Sequence, residues 1–181
     1  MDPKLWMEFD RAIKAGDLGA VRALLGDPPD FPNGPLPDDI YIHEEYRLDH
    51  AIIHGPIALV KELLTLGADP NYPASDGFPS LFAALGSGKE DRHERLKLLL
   101  DYGAYVHQRG VNDYTPLHQA ACMDDAAAVE ILLQRGADPQ VRTRIDECAT
   151  PLEEAEFLGR LKGAEALRGF RDPRSRNERT D

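Results

Sequence analysis

Two histidines stand four residues apart in the segment DHAIIHG (49–55) and raise the question of a metal site. On a helix, this spacing would place His50 and His54 on one face, where they would supply two of the three protein ligands of a catalytic zinc ion. His43 or Glu44, shortly before them, would have to supply the third ligand of a metal-dependent enzyme. No glutamate follows His50 as in the His-Glu-x-x-His motif, so we expect both histidines to be surface residues instead.

The remaining candidates for chemistry point to no reaction. Cys122 and Cys148 fit neither a metal-ligand spacing nor a disulfide framework, which favours two reduced and inert thiols. The acidic run from Glu153 to Glu156 is typical of a solvated helix face rather than of a carboxylate pair in a cleft. No glycine-rich phosphate loop and no nucleophile elbow occurs. We therefore expect no enzymatic activity, no bound metal and no cofactor.

Composition and charge describe a soluble, acidic domain. The chain has 181 residues, of which 42% are hydrophobic, and a formal net charge of −11. A surface of this sign repels nucleic-acid phosphates and attracts basic proteins. The first ten residues do not resemble a secretory signal, and no apolar run is long enough to span a membrane. We expect a cytoplasmic protein that is a monomer on its own and binds neither nucleic acid nor membranes.

The elements that would position these residues are internal repeats. LLTLGADP (63–70), LLLDYGAY (98–105) and ILLQRGADP (131–139) align, and their glycines are 36 and 33 residues apart. A shorter apolar element precedes each copy, and weaker copies flank the three. Each glycine is predicted to end a helix in the left-handed conformation. We divide residues 1–171 into five repeats followed by a disordered tail at 172–181, with approximate bounds of 5–25, 46–70, 79–105, 112–140 and 147–170.

The fourth copy, NDYTPLHQAACMDDAAAVEILLQRGADP (112–139), closely resembles an ankyrin repeat. Thr115-Pro116 and its repeat Thr150-Pro151 suit helix starts, because threonine caps free amides and proline fits the first helical position. The resemblance implies an all-α solenoid of stacked antiparallel helix pairs with projecting loops, in which His118 ties neighbouring loops by hydrogen bonds. This sequence departs from the family pattern at Asp113, which replaces a turn glycine, at Pro79-Ser80, which replaces Thr-Pro, and at Asp49, which replaces the histidine.

One segment does not fit the repeat. Residues 26–45, GDPPDFPNGPLPDDIYIHEE, contain five prolines, six acidic residues and neither lysine nor arginine. This insertion is either a solvated connector that its prolines hold extended or a functional loop. Its apolar side chains favour function, because a pure spacer gains little from exposing them. These side chains are Phe31, Ile40, Tyr41 and Ile42.

The resemblance places the candidate contact residues on loop tips and on the concave face formed by the first helices. Phe78 and Tyr114 occupy equivalent positions one repeat apart and resemble aromatic anchors, although Phe78 could equally cover the base of its loop. The loop-tip candidates are Tyr72, Asp76, Phe78, Arg109, Asn112, Tyr114, Arg142 and Arg144. The helix-face candidates are Arg11, Lys14, His50, His54, Gln119, Met123, Glu154 and Phe157. The insertion adds Asp38, Asp39, Glu44 and Glu45.

The sequence therefore predicts a non-catalytic module that binds a protein with a basic surface, through its concave face and the acidic insertion. Fifteen of the 21 basic residues are arginine, which suggests a GC-rich bacterial genome. The module would act as an immunity-type inhibitor or as an adaptor that links two proteins. The alternative function is a metal-dependent enzyme built on His43, His50 and His54, and the metal content of the purified protein distinguishes the two.

Overall fold

The computed structural model describes residues 2–38, 46–72, 77–145 and 148–170. Within these ranges the chain forms ten α-helices and one short 3-10 turn, and it contains no β-strand. No helix in this described part is long and apolar enough to cross a bilayer. The predicted all-α fold is confirmed. The helices are α1 (Pro3–Ala15), α2 (Leu18–Leu24), α3 (Arg47–His54), α4 (Ile57–Thr65), α5 (Ser80–Gly86), α6 (Arg92–Asp101), α7 (Pro116–Cys122), α8 (Ala126–Gln134), α9 (Pro151–Phe157) and α10 (Leu161–Gly169).

The chain divides into two compact bodies, which are residues 1–116 and 117–181. In the N-terminal body, α1 packs on α2, α3 on α4 and α5 on α6, as expected for helix pairs. Neighbouring pairs are in contact because α1 packs against α3, α3 against α5, and α4 against α6. In the C-terminal body, α10 packs on both α8 and α9. Burial of the apolar face of one pair therefore depends on its neighbour.

The three repeat glycines end helices as the sequence predicted. Gly67, Gly103 and Gly136 follow α4, α6 and α8 with φ of 98°, 88° and 88°. Glycine adopts this left-handed conformation without the strain that a Cβ atom brings. The amide of the alanine after each glycine donates to a carbonyl of the preceding helix at 2.9 to 3.0 Å. The repeat period thus marks the ends of the second helices.

Polar side chains begin the helices at several sites. The carboxylate of Asp17 accepts a hydrogen bond from the amide of Ala20 at the start of α2. At the start of α9, the Thr150 hydroxyl accepts from the amide of Glu153, and the Glu153 carboxylate accepts from the amide of Thr150. This reciprocal capping box satisfies two amides that the helix itself leaves free. The helix start predicted at Thr150-Pro151 is confirmed.

Two asparagines link successive repeats of the N-terminal body in the same way. The side-chain amide of Asn71 donates to the carbonyl of Gly103 (2.9 Å), and its oxygen accepts from the amide of Tyr105 (2.7 Å). Asn33 donates to the carbonyl of Gly67 (3.1 Å) and accepts from the amide of Asp69 (2.7 Å). Asn33 lies inside the insertion, so this part of the insertion makes the same contact to the next repeat as Asn71 makes.

The first half of the insertion is packed against the N-terminal body. Leu36 is buried, and Pro35 forms an isolated antiparallel bridge with Tyr46. The buried guanidinium of Arg47 donates to the Asp30 carboxylate (3.1 Å) and to the carbonyl of Asn33. Residues 26–38 are therefore not a freely solvated connector. Residues 39–45, with Ile40, Tyr41 and Ile42, lie outside the described residues.

Arg95 of α6 fixes the end of α3. Its side chain is only 2% exposed and donates to the carbonyls of Ile52 (2.9 Å) and Gly55 (3.0 Å). Two further bonds from Arg95 reach both carboxylate oxygens of Asp91, at 2.7 and 2.9 Å. A buried charge is tolerated when hydrogen bonds and an opposite charge compensate for the lost water. Arg95 thus joins the third repeat to the second.

The fifth repeat carries charges where the fourth repeat carries apolar contacts. In the fourth repeat, the backbone of Ala121 lies close to Gly163 of α10. A Cβ atom added at Gly163 would be only 2.7 Å from the carbonyl oxygen of Ala121. The equivalent residue of the fifth repeat is Glu156, which pairs with Arg168 at 2.6 Å. Glu156 and Arg168 therefore form an exposed ion pair at a position where the fourth repeat is closely packed.

Candidate functional site

His50 and His54 lie side by side on α3, but only His54 reaches the surface. Their ring centroids are 4.4 Å apart, and the His50 ring is 5.5 Å from that of Phe9 on α1. His50 is 2% exposed, whereas His54 is half-buried. The prediction that both are surface residues is wrong for His50, because α1 packs against α3 and the aromatic ring of Phe9 covers this position. His50 is a core residue.

The proposed third metal ligand, His43, lies outside the described residues. Among the residues that the structure describes, no group of three histidine, cysteine, aspartate or glutamate side chains is arranged to hold a metal ion. The backbone carbonyl of His54 accepts a hydrogen bond from the Lys89 ammonium group at 3.3 Å. The described geometry gives the metal-enzyme alternative no support.

His118 and Asp49 connect neighbouring repeats rather than carry out chemistry. His118 is fully buried, and its Nε2 atom lies 3.1 Å from the carbonyl oxygen of Ala149 in a hydrogen bond. This bond is the loop-tying role that the resemblance implied. At the equivalent position of the second repeat, the buried Asp49 accepts a hydrogen bond from the hydroxyl of Ser80 (2.7 Å). Asp49 and Ser80 therefore replace the histidine and the Thr-Pro pair with another polar tie.

Two predicted loop-tip contacts are already engaged within the N-terminal body. The Tyr72 ring lies 4.2 Å from the Tyr46 ring. Arg109 forms an ion pair with Asp113 at 2.5 Å and also donates to its carbonyl oxygen. Each of these contacts fixes the side chain before a partner arrives. Asp76, another predicted contact, lies outside the described residues.

Arg142 is likewise occupied inside the C-terminal body. Its guanidinium donates to both carboxylate oxygens of Glu153 (2.8 and 2.9 Å) and to the carbonyl of Cys148 (2.8 Å). The hydrogen bond from Arg142 lowers the pKa of Glu153 below its usual range, and the bond from the Thr150 amide acts in the same direction. Both groups are solvent-exposed, so water weakens the pair. Arg142 thus shapes the loop before α9, and Arg144, the other predicted contact in this loop, is also exposed.

The exposed aromatic side chains of the N-terminal body are the better candidates for contact. Phe78 is 47% exposed, so it does not serve only to cover the base of its loop. Tyr114, at the equivalent position, is half-buried, and the nearby Asn112 is exposed with a φ of 56°. Tyr105 was missed by sequence reasoning although it is 58% exposed. It replaces the aspartate of the GADP segments, and this substitution was the signal that could have identified it.

The C-terminal body exposes an apolar side-chain group around the turn between α9 and α10. Phe157 in this group was a predicted contact and is 85% exposed, and Met123, a predicted contact that directly follows α7, is 41% exposed. Leu158 and Leu161 are also exposed and were not predicted. Gln119 and Glu154, the other predicted contacts here, are half-buried. The sequence FLGRL in this turn was the available signal, since it places three large apolar residues in a short connection.

The acidic residues of the insertion fall into two groups. Asp27 pairs with Arg22, and Asp30 pairs with Arg47, so the two carboxylates are partly neutralised from within. Asp38 is exposed, while Asp39, Glu44 and Glu45 lie outside the described residues. Of the two basic candidates on α1, Arg11 is exposed and Lys14 pairs with Asp10 at 2.8 Å. The six carboxylates are therefore not equivalent as contact groups.

The negative charge is concentrated in the N-terminal body. Residues 1–116 contain 19 acidic and 11 basic side chains, whereas residues 117–181 contain 13 and 10. The net charges of −8 and −3 add up to the −11 of the chain. A basic molecule approaching the protein would therefore be attracted mainly to the N-terminal body.

Comparison with known proteins gives one family and several partial relatives. The family model for ankyrin repeats, in three copies, matches residues 48–143, which is more than half of the chain. Alpha-latrocrustotoxin-Lt1a of Latrodectus tredecimguttatus is 33% identical over 105 residues, or 58% of this chain and 7% of that protein. Palmitoyltransferase Hip14 of Drosophila melanogaster is 33% identical over 113 residues, or 61% of this chain and 17% of that protein.

A human protein gives a similar result. SH3 and multiple ankyrin repeat domains protein 2 of Homo sapiens is 31% identical over 114 residues, or 62% of this chain and 6% of that protein. The chain thus spans less than a fifth of the length of each of these three relatives. Their similarity to this chain concerns a small part of each large protein.

Proposed function

This chain belongs to the ankyrin-repeat family, and we propose that it is a non-catalytic module that binds a basic partner protein. Ankyrin repeats are protein–protein interaction modules and are generally not catalytic. The partner would lie against the first helices of the repeats and against the acidic insertion 26–45. The fold itself carries no chemistry, so the specificity depends on the side chains that these surfaces present.

The observation that carries the proposal is the charge of the N-terminal body, with 19 acidic against 11 basic residues. A potential of this sign speeds the encounter with a basic protein and orients it before contact. Exposed ion pairs each contribute less than about 1 kcal/mol, so charge alone does not produce a long-lived complex. The affinity must then depend on a few side chains that become buried in the interface.

Phe78 is the leading candidate for such a side chain because it is large and 47% exposed in the absence of a partner. Tyr114 and His54 are half-buried and would complete the same contact from the loop before α7 and from α3. Aromatic residues are frequent among side chains whose removal costs most binding energy. In the C-terminal body, Phe157 has the same properties and offers a second anchor.

We propose inhibition as the biological role, with the chain covering the basic surface of a toxin or enzyme in the cytoplasm of a bacterium. A single acidic body that attracts a basic surface suits blocking of one partner. The adaptor role requires two separate surfaces for two partners. The two roles differ in what happens to the activity of the first partner when the chain binds it.

Capture from cells of the source organism, followed by mass spectrometry, tests the proposal. The tagged chain is compared with the triple variant Phe78→Ala, Tyr114→Ala, His54→Ala. The matched control is Leu66→Ala with Tyr102→Ala, which removes exposed apolar groups at the ends of α4 and α6. We expect a basic protein that the parent and the control retain and that the triple variant loses.

Two results would contradict the proposal. Retention of the same protein by the triple variant would show that the contact surface is elsewhere. An acidic partner would show that charge does not drive the encounter. With the purified partner, loss of its activity in the presence of the chain supports inhibition, and unchanged activity supports an adaptor.

A further inference from the structure

Asn33 is chemically different from Asn71, although both make the same pair of hydrogen bonds to the following repeat. Each side-chain amide donates to a glycine carbonyl and accepts from an amide two residues further along. Asn33 is followed by Gly34, whereas Asn71 is followed by Tyr72. The residue after an asparagine determines how easily its amide nitrogen reaches the asparagine side chain, and glycine offers the least steric hindrance.

The structure requires glycine at position 34. Its φ is 99°, a left-handed value that favours glycine. An added Cβ atom would also collide with the Asp30 carboxylate and would lie 3.2 Å from the Arg47 guanidinium. The Gly34 carbonyl accepts a hydrogen bond from the Arg47 amide at 3.2 Å. A substitution of Asn33 would lose its bonds to the second repeat, and a substitution of Gly34 would introduce backbone strain and steric overlap.

We propose that Asn33 is a site of spontaneous deamidation, which is gated by the docking of the insertion onto the second repeat. The Gly34 amide loses its proton to solvent, and its nitrogen attacks the Cγ carbon of Asn33. An N–Cγ bond forms, the Cγ–Nδ2 bond breaks, and Nδ2 leaves as ammonia after taking up a proton. Water then opens the cyclic imide to give aspartate or isoaspartate at position 33. No oxidant or reductant takes part.

In the folded chain, both polar atoms of the Asn33 side chain are engaged by the second repeat. Rotation of Cγ onto the Gly34 nitrogen breaks the 3.1 Å bond to Gly67 and the 2.7 Å bond to Asp69. Arg47, held by Asp30, also keeps residues 30 to 34 in one turn. The reaction therefore requires a local opening in which the insertion leaves the body, and its rate follows the population of that open state.

Deamidation would prevent the insertion from docking again in the same way. A carboxylate has no hydrogen to donate to the Gly67 carbonyl, so two acceptor oxygens would face each other. A partly buried acceptor without its donor is destabilising. The isoaspartate product also lengthens the main chain by one atom within the turn. The modified chain would therefore hold residues 26–38 less tightly and carry one more negative charge.

The test follows Asn33 and Asn71 in the purified full chain by peptide mass spectrometry during incubation in mildly alkaline buffer. One sample is native, and the other is unfolded in urea. We expect Asn33 to react at least about tenfold faster in urea than in the native chain, because opening is then no longer needed. Asn71 is the internal control, and in urea it should react much more slowly than Asn33.

A second measurement uses Asn33→Asp, which has the charge of one product, with Asn71→Asp and the exposed Asp38→Asn as comparisons. Asn33→Asp should lower the urea midpoint and speed proteolysis within residues 26–38, while Asp38→Asn leaves both unchanged. Equal rates for Asn33 in native and unfolded chains would overturn the gating. Equal deamidation rates for Asn33 and Asn71 in urea would show that Asn33 is not a preferred deamidation site. An unchanged urea midpoint and proteolysis rate in Asn33→Asp would show that deamidation does not loosen residues 26–38.

Discussion

Asp91 and Arg95 form a two-point ion pair one helical turn apart, with the Arg95 guanidinium almost completely buried between α6 and the end of α3. The remaining donors of Arg95 reach the carbonyls of Ile52 and Gly55. A single side chain thus satisfies carbonyls at the end of the first helix of one repeat and a carboxylate in the next repeat. Arg95 therefore forms a buried polar contact between two repeats within the apolar core of the N-terminal body.

Replacing Arg95 by methionine should destabilise the chain by about 3 kcal/mol, because two carbonyls lose their donors and Asp91 loses its counter-charge. Urea unfolding measures the loss. Arg95→Lys is the control that keeps the charge, and it should be intermediate since lysine lacks the fork of donors that reaches both sides. Equal stabilities for methionine and arginine at this position would show that the four bonds contribute nothing net.

Asp91 should contribute to acid denaturation. The hydrogen bond from Arg95 lowers the pKa of Asp91 below its usual range. The stabilisation is therefore present above the unfolded pKa and is lost as pH falls through the lower folded pKa. Asp91→Asn should be less stable than the parent near neutral pH, and the difference should shrink below about pH 4. Urea midpoints of both proteins across this range measure the effect, and a constant difference would contradict it.

Gly136→Ala should lower the free energy of unfolding by about 1 kcal/mol, because alanine is strained at a φ of 88°. No atom lies near the position of the added methyl group, so steric overlap is not the cause. Gly86→Ala is the matched control, since its surroundings are equally open and Gly86 ends a helix without a positive φ. This control should be neutral or stabilising. A greater loss of stability in Gly86→Ala than in Gly136→Ala would refute the left-handed conformation at the end of α8.

The two histidines should separate into a core role and a surface role. His50→Ala should cost about 2 kcal/mol, since it leaves a cavity beside Phe9, whereas His54→Ala should have a small effect. Elemental analysis of protein purified without added metal should find zinc well below one ion per chain in the parent and in His54→Ala. Stoichiometric zinc that disappears in His54→Ala would revive the metal-dependent enzyme.

Once a partner is known, its association rate should depend on the acidic insertion. Changing Asp38→Asn, Glu44→Gln and Glu45→Gln together should slow association on the order of threefold at low salt and flatten its salt dependence. The dissociation rate should change little. The matched control neutralises Glu62, Glu90 and Glu94, which changes the net charge equally at another surface. Stopped-flow mixing gives the rates, and equal slowing by both variants would mean that only net charge matters.

The helix ends could be predicted from the sequence because they depend on local chemistry. The glycine spacing and the Thr150-Pro151 start need only the conformational preferences of single residues, and both predictions are confirmed. The burial of His50 could not be predicted in this way, because it depends on Phe9, about forty residues earlier in the chain. In the alignment of the repeats, His50 matches Gln119, which suggests a position on the concave surface. Such an alignment describes a repeat and not the neighbours that cover it.

Arg95 and Asn33 were missed for related reasons. An arginine in the polar sequence RHER is typical of a solvated helix face, and only the carbonyls at the end of α3 make its burial favourable. Asn33 was hidden because extra residues shift it away from the position of Asn71 after the repeat glycine. The candidate contact residues stay predictions, since their role depends on a partner that the chain alone does not specify.

Hydrogen exchange at the two amides that are bonded to Asn33 and Asn71 would report how cooperatively the repeats unfold. The amides of Asp69 and Tyr105 belong to exposed residues, but each is bonded to an asparagine of the preceding repeat. The Asp69 hydrogen therefore exchanges with deuterium when Asn33 of the insertion leaves the second repeat, and the Tyr105 hydrogen exchanges when Asn71 leaves the third repeat. Equal protection of both amides would mean that the three repeats of the N-terminal body open as one unit. Different protection of the two amides would mean that the repeats open one after another, as nearest-neighbour coupling in a linear array allows.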